Sequence, residues 1–199
     1  YLPVLCDKIL MTEGSQLCLA GPALVKAAIG QTVDPEELGG ASMHSKISGT
    51  VDFHEKDDVA CLQRLRSLIA MLPDPPVEKA GFSTQRNQED VYDIVPADGR
   101  GEYDVRDLLR CIIDTDSLQE FKSDYGQTVV TAYVRINGYP AGVVANQRRR
   151  STTAQGEVQI GGVLYGPSAE KAARFVLDCN QTRIPLIFIQ DVQGFMVGK

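Results

Sequence analysis

The sequence predicts an α/β fold in two parts, and three observations carry that prediction. The first is the run from Gly166 to Lys199, where an amphipathic helix leads directly into the apolar stretch Ile184-Pro185-Leu186-Ile187-Phe188-Ile189 and then into a glycine turn. Ala169, Ala172, Ala173, Val176 and Leu177 recur at helical spacing and predict one buried helical face. The apolar stretch reads as a strand covered on both faces, as in parallel sheets. The second observation is a similar alternation of strand and helix signals over residues 1–72. The third is the stretch 73–98, which holds Pro73, Pro75, Pro76 and Pro96 and shows no sustained period, so that it reads as a tether between two α/β blocks. Ligands of such sheets sit beyond the carboxyl ends of strands, which directs attention to Asp191–Gly198.

The elements follow in order. Lys8–Met11 and Gln16–Ala20 read as short strands around the Glu13-Gly14 turn. Gly21-Pro22 starts a helix that runs to Ile29 and stops at Gly30, with proline at its first position. Asp34-Pro35-Glu36-Glu37-Leu38 repeats the device: an Asp cap, a Pro start, an acidic first turn, and Gly39-Gly40 as terminator. After a strand at Asp52-Phe53, a helix over 57–71 places Leu62, Leu65, Ile69 and Leu72 on one stripe. In the second block, Val105, Leu108, Leu109, Ile112 and Ile113 form a helical face behind a cap at Asp104. Thr128–Ile136 and Tyr139–Ala145 predict a hairpin turning at Asn137-Gly138. The domains are thus expected at 1–72 and 99–199, each incomplete by itself.

Composition narrows the function. The chain has 199 residues, 43% of them hydrophobic, and a net charge of −6. That acidity disfavours nucleic acid, which prefers a concentrated basic surface; the only basic run is Arg148-Arg149-Arg150. No apolar stretch reaches the roughly 18–20 residues of a membrane helix. No signal peptide is visible, and the start at Tyr-Leu-Pro without Met is read as that of a piece of a longer protein. Cys6, Cys18, Cys61, Cys111 and Cys179 show no CxxC spacing and read as buried, reduced thiols.

Conventional catalytic side chains are scarce. There are two histidines and no HExxH, GxSxG or Walker pattern. His54 adjoins Glu55, Asp57 and Asp58 and reads as a solvated polar edge rather than a metal ligand. His44, between glycine-rich corners, reads either as part of a ligand site or as a structural hydrogen-bonding group. Nothing fixes a Ser-His-Asp spacing. Backbone N–H groups are better candidates, since unpaired donors at a glycine turn suit a developing oxyanion such as a thioester enolate. Gly194-Phe195 fits that role, and fits an ordinary strand-to-loop turn equally well.

Several long runs resemble, in order, the carboxyltransferase (beta) subunits of biotin-dependent acyl-CoA carboxylases. They are AGPALVKAAIGQTVDPEELGGASMHSKISGTVDF (20–53), VYDIVPADGRGEYDVRDLLRCIID (91–114), AGVVANQ (141–147) and GEVQIGGVLYGPSAEKAARFVLDCNQTRIPLIFIQDVQGFMVGK (156–199). The ending GFMVG is closer to the methylcrotonyl-CoA type than to the GFLPG of the propionyl-CoA type.

The resemblance implies a crotonase-like superhelical βαβ architecture. Residues 1–72 would be the end of an acyl-CoA-binding domain, and 99–199 the start of a biotin-binding one. It implies transfer of a carboxyl group from carboxybiotin, borne on a partner's carrier domain, to an acyl-CoA. Each domain would supply a backbone oxyanion hole, and biotin, having given up its carboxyl group, would act as the base. Gly194 and Phe195 become the catalytic amides facing the biotin ureido oxygen, with Val197 and Gly198 beside the cofactor. Gly21, Pro22, Gly39, Gly40, Ala41 and His44 fall near the acyl-CoA side, or serve as corners that hold the sheet. The implied partners are a biotin carboxylase/biotin carrier subunit and further copies of the chain, with the active site at a subunit interface. No nucleic acid, membrane or metal is implied, and the compartment would be a bacterial cytoplasm or a mitochondrial matrix. The other oxyanion loops would lie outside 1–199, so the fragment alone is expected to be inactive. Arg148-Arg149-Arg150 fits the family pattern least well; it would meet CoA phosphates or the carrier, or form a solvated loop. A biotin-dependent acyl-CoA decarboxylase subunit and a non-catalytic thioester-binding or assembly subunit remain as rival readings.

Overall fold

The structure is a computed structural model, and it describes residues 2–72 and 83–196. The chain divides into two compact units, residues 1–66 and 67–199.

In the first unit, β1 (Leu10–Thr12) pairs in parallel with β2 (Phe53–Glu55). Between them lie α1 (Pro22–Ile29), α2 (Pro35–Gly39) and the short α3 (Ala41–Met43), which continues into a π-helical turn, His44–Ser48. The helix starts and stops follow the sequence signals: Asp34 accepts the N–H groups of Glu36 and Glu37, and Gly30 closes α1 with its N–H on Lys26 O. Ile9, Met11, Ala41 and Val51 form the small core. Asp52 is buried because its carboxylate accepts the Ile9 N–H at 2.7 Å. The strand expected over 16–20 does not form. Leu17 N–H and Ser15 O are committed to the residue 39–41 corner, Gln16 makes one isolated bridge to Gly40, and Leu19 lies 89% exposed.

Helix α4 (Asp58–Ala70) begins in the first unit and ends in the second. The apolar stripe Leu62–Leu65–Ile69–Leu72 is exposed, and Leu68 and Met71 are buried instead. Apolar spacing defines a face but not the layer that covers it, and among the described residues no layer covers this one.

The second unit is built on a four-stranded sheet ordered β3 (Gln119–Phe121), β4 (Val129–Ile136), β5 (Tyr139–Asn146) and β9 (Leu186–Ile189). β4 and β5 are the predicted hairpin. Asn137 (φ 50°) and Gly138 (φ 78°) supply the two left-handed residues that a tight turn needs. The buried Asp114 carboxylate holds that turn, accepting Asn137 N–H at 2.8 Å and Gly138 N–H at 2.6 Å. Val105, Leu109, Ile113 and the inward residues of β4 and β5 form the core. Ahead of them come α5 (Val91–Ile94) and α6 (Val105–Leu109), the latter capped by Asp104 as expected.

The stretch expected as a tether is partly structured. Residues 73–82 lie outside the described residues. Over 83–98 the chain makes a Thr84–Asp114 bridge, the bond Arg86 N–H to Arg110 O, and α5.

Three further strand fragments follow β5: β6 (Ser151–Thr152), β7 (Val158–Gln159) and β8 (Val163–Leu164). They lead into α7 (Gly166–Thr182), then β9 and β10 (Gly194–Phe195), which pairs in parallel with β8. α7 turns a different face inward from the one its alanines predict. Ser168, Lys171, Phe175, Asp178 and Cys179 are buried, whereas Ala169, Ala173 and Leu177 are exposed. The reason is partnership rather than polarity. Phe175 packs on Tyr133 and Phe121 with ring centroids 4.8 and 5.4 Å apart, and Tyr133 gives its hydroxyl proton to Asp178. β9 likewise departs from expectation. It is an edge strand of the described sheet, with Phe188 63% exposed, rather than a strand covered on both faces.

Candidate functional site at the carboxyl ends of β5 and β9

β5 and β9 run in parallel, with Ala145 opposite Ile189, so both release their chains at the same edge. Asn146 accepts the Asp191 N–H at 3.1 Å and ties the two exits together. A cavity of about 410 Å³ opens there, walled by Leu164, Ala169, Ala172, Phe188 and Phe195, with Asn146 among its polar groups. Ala169 and Ala172 of α7 therefore form part of the wall of this cavity, and their small size leaves it open.

The glycine turn meets the cavity through β10. Gln193 N–H donates to Gly162 O at 2.7 Å and Met196 N–H to Leu164 O at 2.8 Å. Neighbouring residues of a strand aim their N–H groups at opposite edges. Leu164 lies opposite Phe195 and accepts the Met196 N–H, so the Phe195 N–H projects away from β8, and Phe195 is 72% exposed. Of the expected catalytic pair Gly194 and Phe195, the second carries the outward donor. Val197 and Gly198 lie outside the described residues.

Behind the turn sits a polar cluster. Arg148 is 5% exposed. Its guanidinium meets Asp191 (Nε–Oδ2 3.3 Å) and donates to Gly99 O (3.0 Å). With its amide turned to satisfy both ends, Gln193 accepts from both terminal nitrogens of Arg148 (2.7 and 3.0 Å) and donates to Gly161 O (3.2 Å). Tyr103 gives its hydroxyl proton to Asp191 at 2.9 Å. Burial, then that bond and the Asp191 charge, pushes the Tyr103 phenol up to about 12, so it remains a donor at neutral pH. The sequence did not single out this cluster, because Arg148 stands among three adjacent arginines. Its neighbours behave as a solvated run would: Arg149 and Arg150 have side chains 71% and 67% exposed.

A second, polar cavity of about 300 Å³ lies among Asp104, Arg106, Gln147, Arg149 and Ser151. Its charges are already balanced. Arg106 makes a two-pronged pair with Glu120 (2.6 and 2.7 Å), and Arg150 pairs with Glu102 at 2.7 Å. Burial, the largest single influence, would lower the Arg106 guanidinium, but Glu120 and Asp104 together outweigh it and hold the group above its ordinary value.

In the first unit, the residues expected on the acyl-CoA side are turned on their own fold. His44 has both ring nitrogens engaged, with Leu17 O at 2.8 Å and Ser48 Oγ at 2.9 Å. The Glu36 carboxylate covers Gly40 and accepts Ser42 N–H, and Ala41 is buried. Gly39 packs too closely on Leu17 O and Cys18 for any side chain. Gly21 and Pro22 form the start of α1, a helix with no buried residue. His54 meets Ser45 Oγ and is half-buried rather than solvated. All five cysteines are free thiols, but only Cys111 and Cys179 are buried; Cys6 is exposed. Among the described residues no group of three His, Cys, Asp or Glu side chains is placed to hold a metal ion.

Comparison with known proteins agrees over the whole chain. Residues 1–199 match the carboxyl transferase domain model. The biotin-dependent 3-methylcrotonyl-coenzyme A carboxylase beta1 subunit of Mycobacterium tuberculosis is 38% identical over all of this chain, which covers 36% of that protein. The methylmalonyl-CoA carboxyltransferase 12S subunit of Propionibacterium freudenreichii is 37% identical, again over all of this chain and 37% of the relative. The methylmalonyl-CoA decarboxylase subunit alpha of Propionigenium modestum is 33% identical, over all of this chain and 38% of its own length. Among solved structures, transcarboxylase 12S with methylmalonyl-coenzyme A and methylmalonic acid bound superposes with a TM-score of 0.81 at 37% identity, over 98% of this chain and 37% of that one. The chain thus spans little more than a third of the relatives it matches. Its fold is the crotonase-like α/β architecture, and the chain belongs to the carboxyl transferase family.

Proposed function

We propose that the protein carrying this chain transfers a carboxyl group between carboxybiotin, held on a partner's carrier domain, and an acyl-CoA of the 3-methylcrotonyl type. The observation that carries this reading is the apolar cavity at the ends of β5 and β9 with the Phe195 N–H turned outward at β10. The residues fit the bicyclic ring of biotin: Leu164, Ala169, Ala172 and Phe188 offer apolar walls, and the amide offers a donor to a ureido oxygen. When bound, biotin supplies the transferable carboxyl group and a basic nitrogen. The chain's part is to hold the ring, exclude water with Phe188 and Phe195, and place the amide where negative charge gathers. A donor of this kind contributes roughly 3–4 kcal/mol to a transition state. Val197 and Gly198 would contact the cofactor in this reading.

The first unit takes the acyl-CoA in this reading, with α1 at Gly21-Pro22 and the 39–44 corner shaping its fold. The biotin arrives with a biotin carboxylase/biotin carrier subunit, and the protein assembles with further copies of itself; transcarboxylase 12S is described as a hexamer. No described helix is long and apolar enough to cross a membrane. Two related beta chains are mitochondrial, which supports a mitochondrial matrix in eukaryotes and a cytoplasm in bacteria as the working compartment. The similarity to a methylmalonyl-CoA decarboxylase subunit favours a second reading, the same transfer run in reverse.

The test uses the full-length subunit with its biotin-bearing partner, ATP and labelled bicarbonate, offered 3-methylcrotonyl-, propionyl- and acetyl-CoA. Label fixed preferentially into 3-methylcrotonyl-CoA is the expected result. Fully carboxylated biotin with no label on any acyl-CoA would overturn it and move the weight to the decarboxylase.

A further inference from the structure

The three adjacent arginines after β5 differ sharply in their surroundings. Arg149 and Arg150 project from the surface, whereas Arg148 is 5% exposed and its guanidinium joins Gly99 to the loop 191–193. We propose that Arg148 is a positioning residue for carboxyl transfer: its guanidinium fixes the loop 191–193, and with it the register of the Phe195 amide. The proposal rests on the carboxyl-transfer reading above.

Four features make this more than packing. The guanidinium engages Asp191 and Gln193 together, at 3.3 Å and at 2.7 and 3.0 Å, so it clamps both ends of the segment 191–193 that leads into β10. Gln193 is the residue immediately before β10, and its own N–H is fixed on Gly162 O. The loops cannot slide past one another either. A Cβ at Gly161 would lie 2.0 Å from Arg148 O, and one at Gly162 would lie 2.9 Å from an Arg148 terminal nitrogen and 3.0 Å from Gln193 Cγ. The clamp is anchored from behind as well, by Gly99 O on the guanidinium and by the Tyr103 hydroxyl on Asp191.

A planar fork is required for this geometry. A lysine ammonium keeps the charge but concentrates its donors at one point, and cannot reach Asp191, Gln193 and Gly99 together. Loss of the clamp would leave the cavity intact and let the Phe195 amide wander. Misplacement of about 1 Å at a reacting centre costs up to roughly 100-fold in rate. The effect belongs in kcat, because no acyl-CoA contact is removed.

The experiment takes the full-length subunit with its biotin-bearing partner and compares Arg148→Lys and Gln193→Leu with the unsubstituted enzyme. Gln193 is exposed, so its substitution tests the clamp without opening the interior. Measured are kcat and KM for the acyl-CoA, the ATP-dependent carboxylation of biotin on the partner, and the thermal midpoint. The expected result is a kcat lowered by roughly 10–100-fold in Arg148→Lys and several-fold in Gln193→Leu. KM and biotin carboxylation should stay unchanged. Wild-type kcat in Gln193→Leu overturns the proposal, as does an Arg148→Lys rate that falls only in proportion to the folded fraction. Absence of transfer by the unsubstituted enzyme would instead overturn the functional reading itself.

Discussion

Replacing Lys171 by Met should stabilise the protein at neutral pH. Lys171 lies within α7 and is 1% exposed, and its ammonium donates to Lys122 O at 3.3 Å. Burial drives its pKa down from 10.5 to about 7; the attraction of Glu120 opposes that fall, and Arg106 and Lys122 add to it. At about 1.4 kcal/mol per pH unit, the interval corresponds to on the order of 5 kcal/mol of instability when the group is charged in both states. The sign follows from linkage. Between about pH 7 and pH 10.5 the unfolded chain binds the proton and the folded chain does not, so stability rises with pH across that window. Below it both states are charged and the full penalty stands; above it both are neutral and the penalty vanishes. Met has a similar volume and no charge; the Lys122 carbonyl keeps the Tyr125 N–H at 3.1 Å, so losing the ammonium costs about 1 kcal/mol. The net expectation at pH 7 is a gain of about 3 kcal/mol that shrinks towards zero by about pH 10. Urea unfolding of wild type and variant, side by side from about pH 6 to about pH 10, measures it. A variant less stable than wild type at pH 7, or a difference that does not change with pH, would refute the reasoning.

Other consequences follow from local geometry. Asp114→Ala removes the acceptor of two turn amides, at 2.8 and 2.6 Å, and should cost about 2–4 kcal/mol in urea unfolding; a loss below about 1 kcal/mol would show that water replaces the carboxylate. Gly161→Ala drives a Cβ to within 2.0 Å of the Arg148 carbonyl, so it should lower the thermal midpoint and the carboxyl-transfer rate together, whereas unchanged values would mean that the 161–162 loop can move aside. Asp191→Asn removes a negative charge beside Tyr103, and ultraviolet titration should then show that phenol ionising below its present value of about 12; an unmoved titration would leave burial as the sole cause.

The parts of the fold legible in the sequence are those fixed by near neighbours in the chain. Pro22, Gly30, Asp34 and Pro35 mark helix ends by their own backbone chemistry, and Asn137-Gly138 sets a hairpin by its φ angles. The parts missed depend on partners far away. The alanines of α7 keep helical spacing, yet the helix buries Phe175 and Asp178, because Tyr133 on β4 supplies both a ring and a hydroxyl. β1 finds β2 rather than the 16–20 segment, since Leu17 and Ser15 are drawn to the 39–41 corner. The glycine turn at 194–195 was visible from its place after an apolar strand, but the direction of the Phe195 amide depends on pairing with β8. Arg148 was hidden by its neighbours: a charge run reads as solvated, and only a carboxylate forty-three residues further on, Asp191, makes one member internal.

The backbone amide of Phe195 is the central claim, and a pair of substitutions tests it directly. Phe195→Pro deletes the N–H on the edge that faces away from β8, a strand position where proline is tolerated; Phe195→Ala trims the side chain and keeps the donor. In the full-length subunit with its biotin-bearing partner, the carboxyl-transfer kcat is the quantity to measure. The account predicts that the Ala variant stays within about tenfold of wild type, and that the Pro variant, at an equal thermal midpoint, falls by roughly 100–1000-fold. Equal rates in the two variants would contradict it.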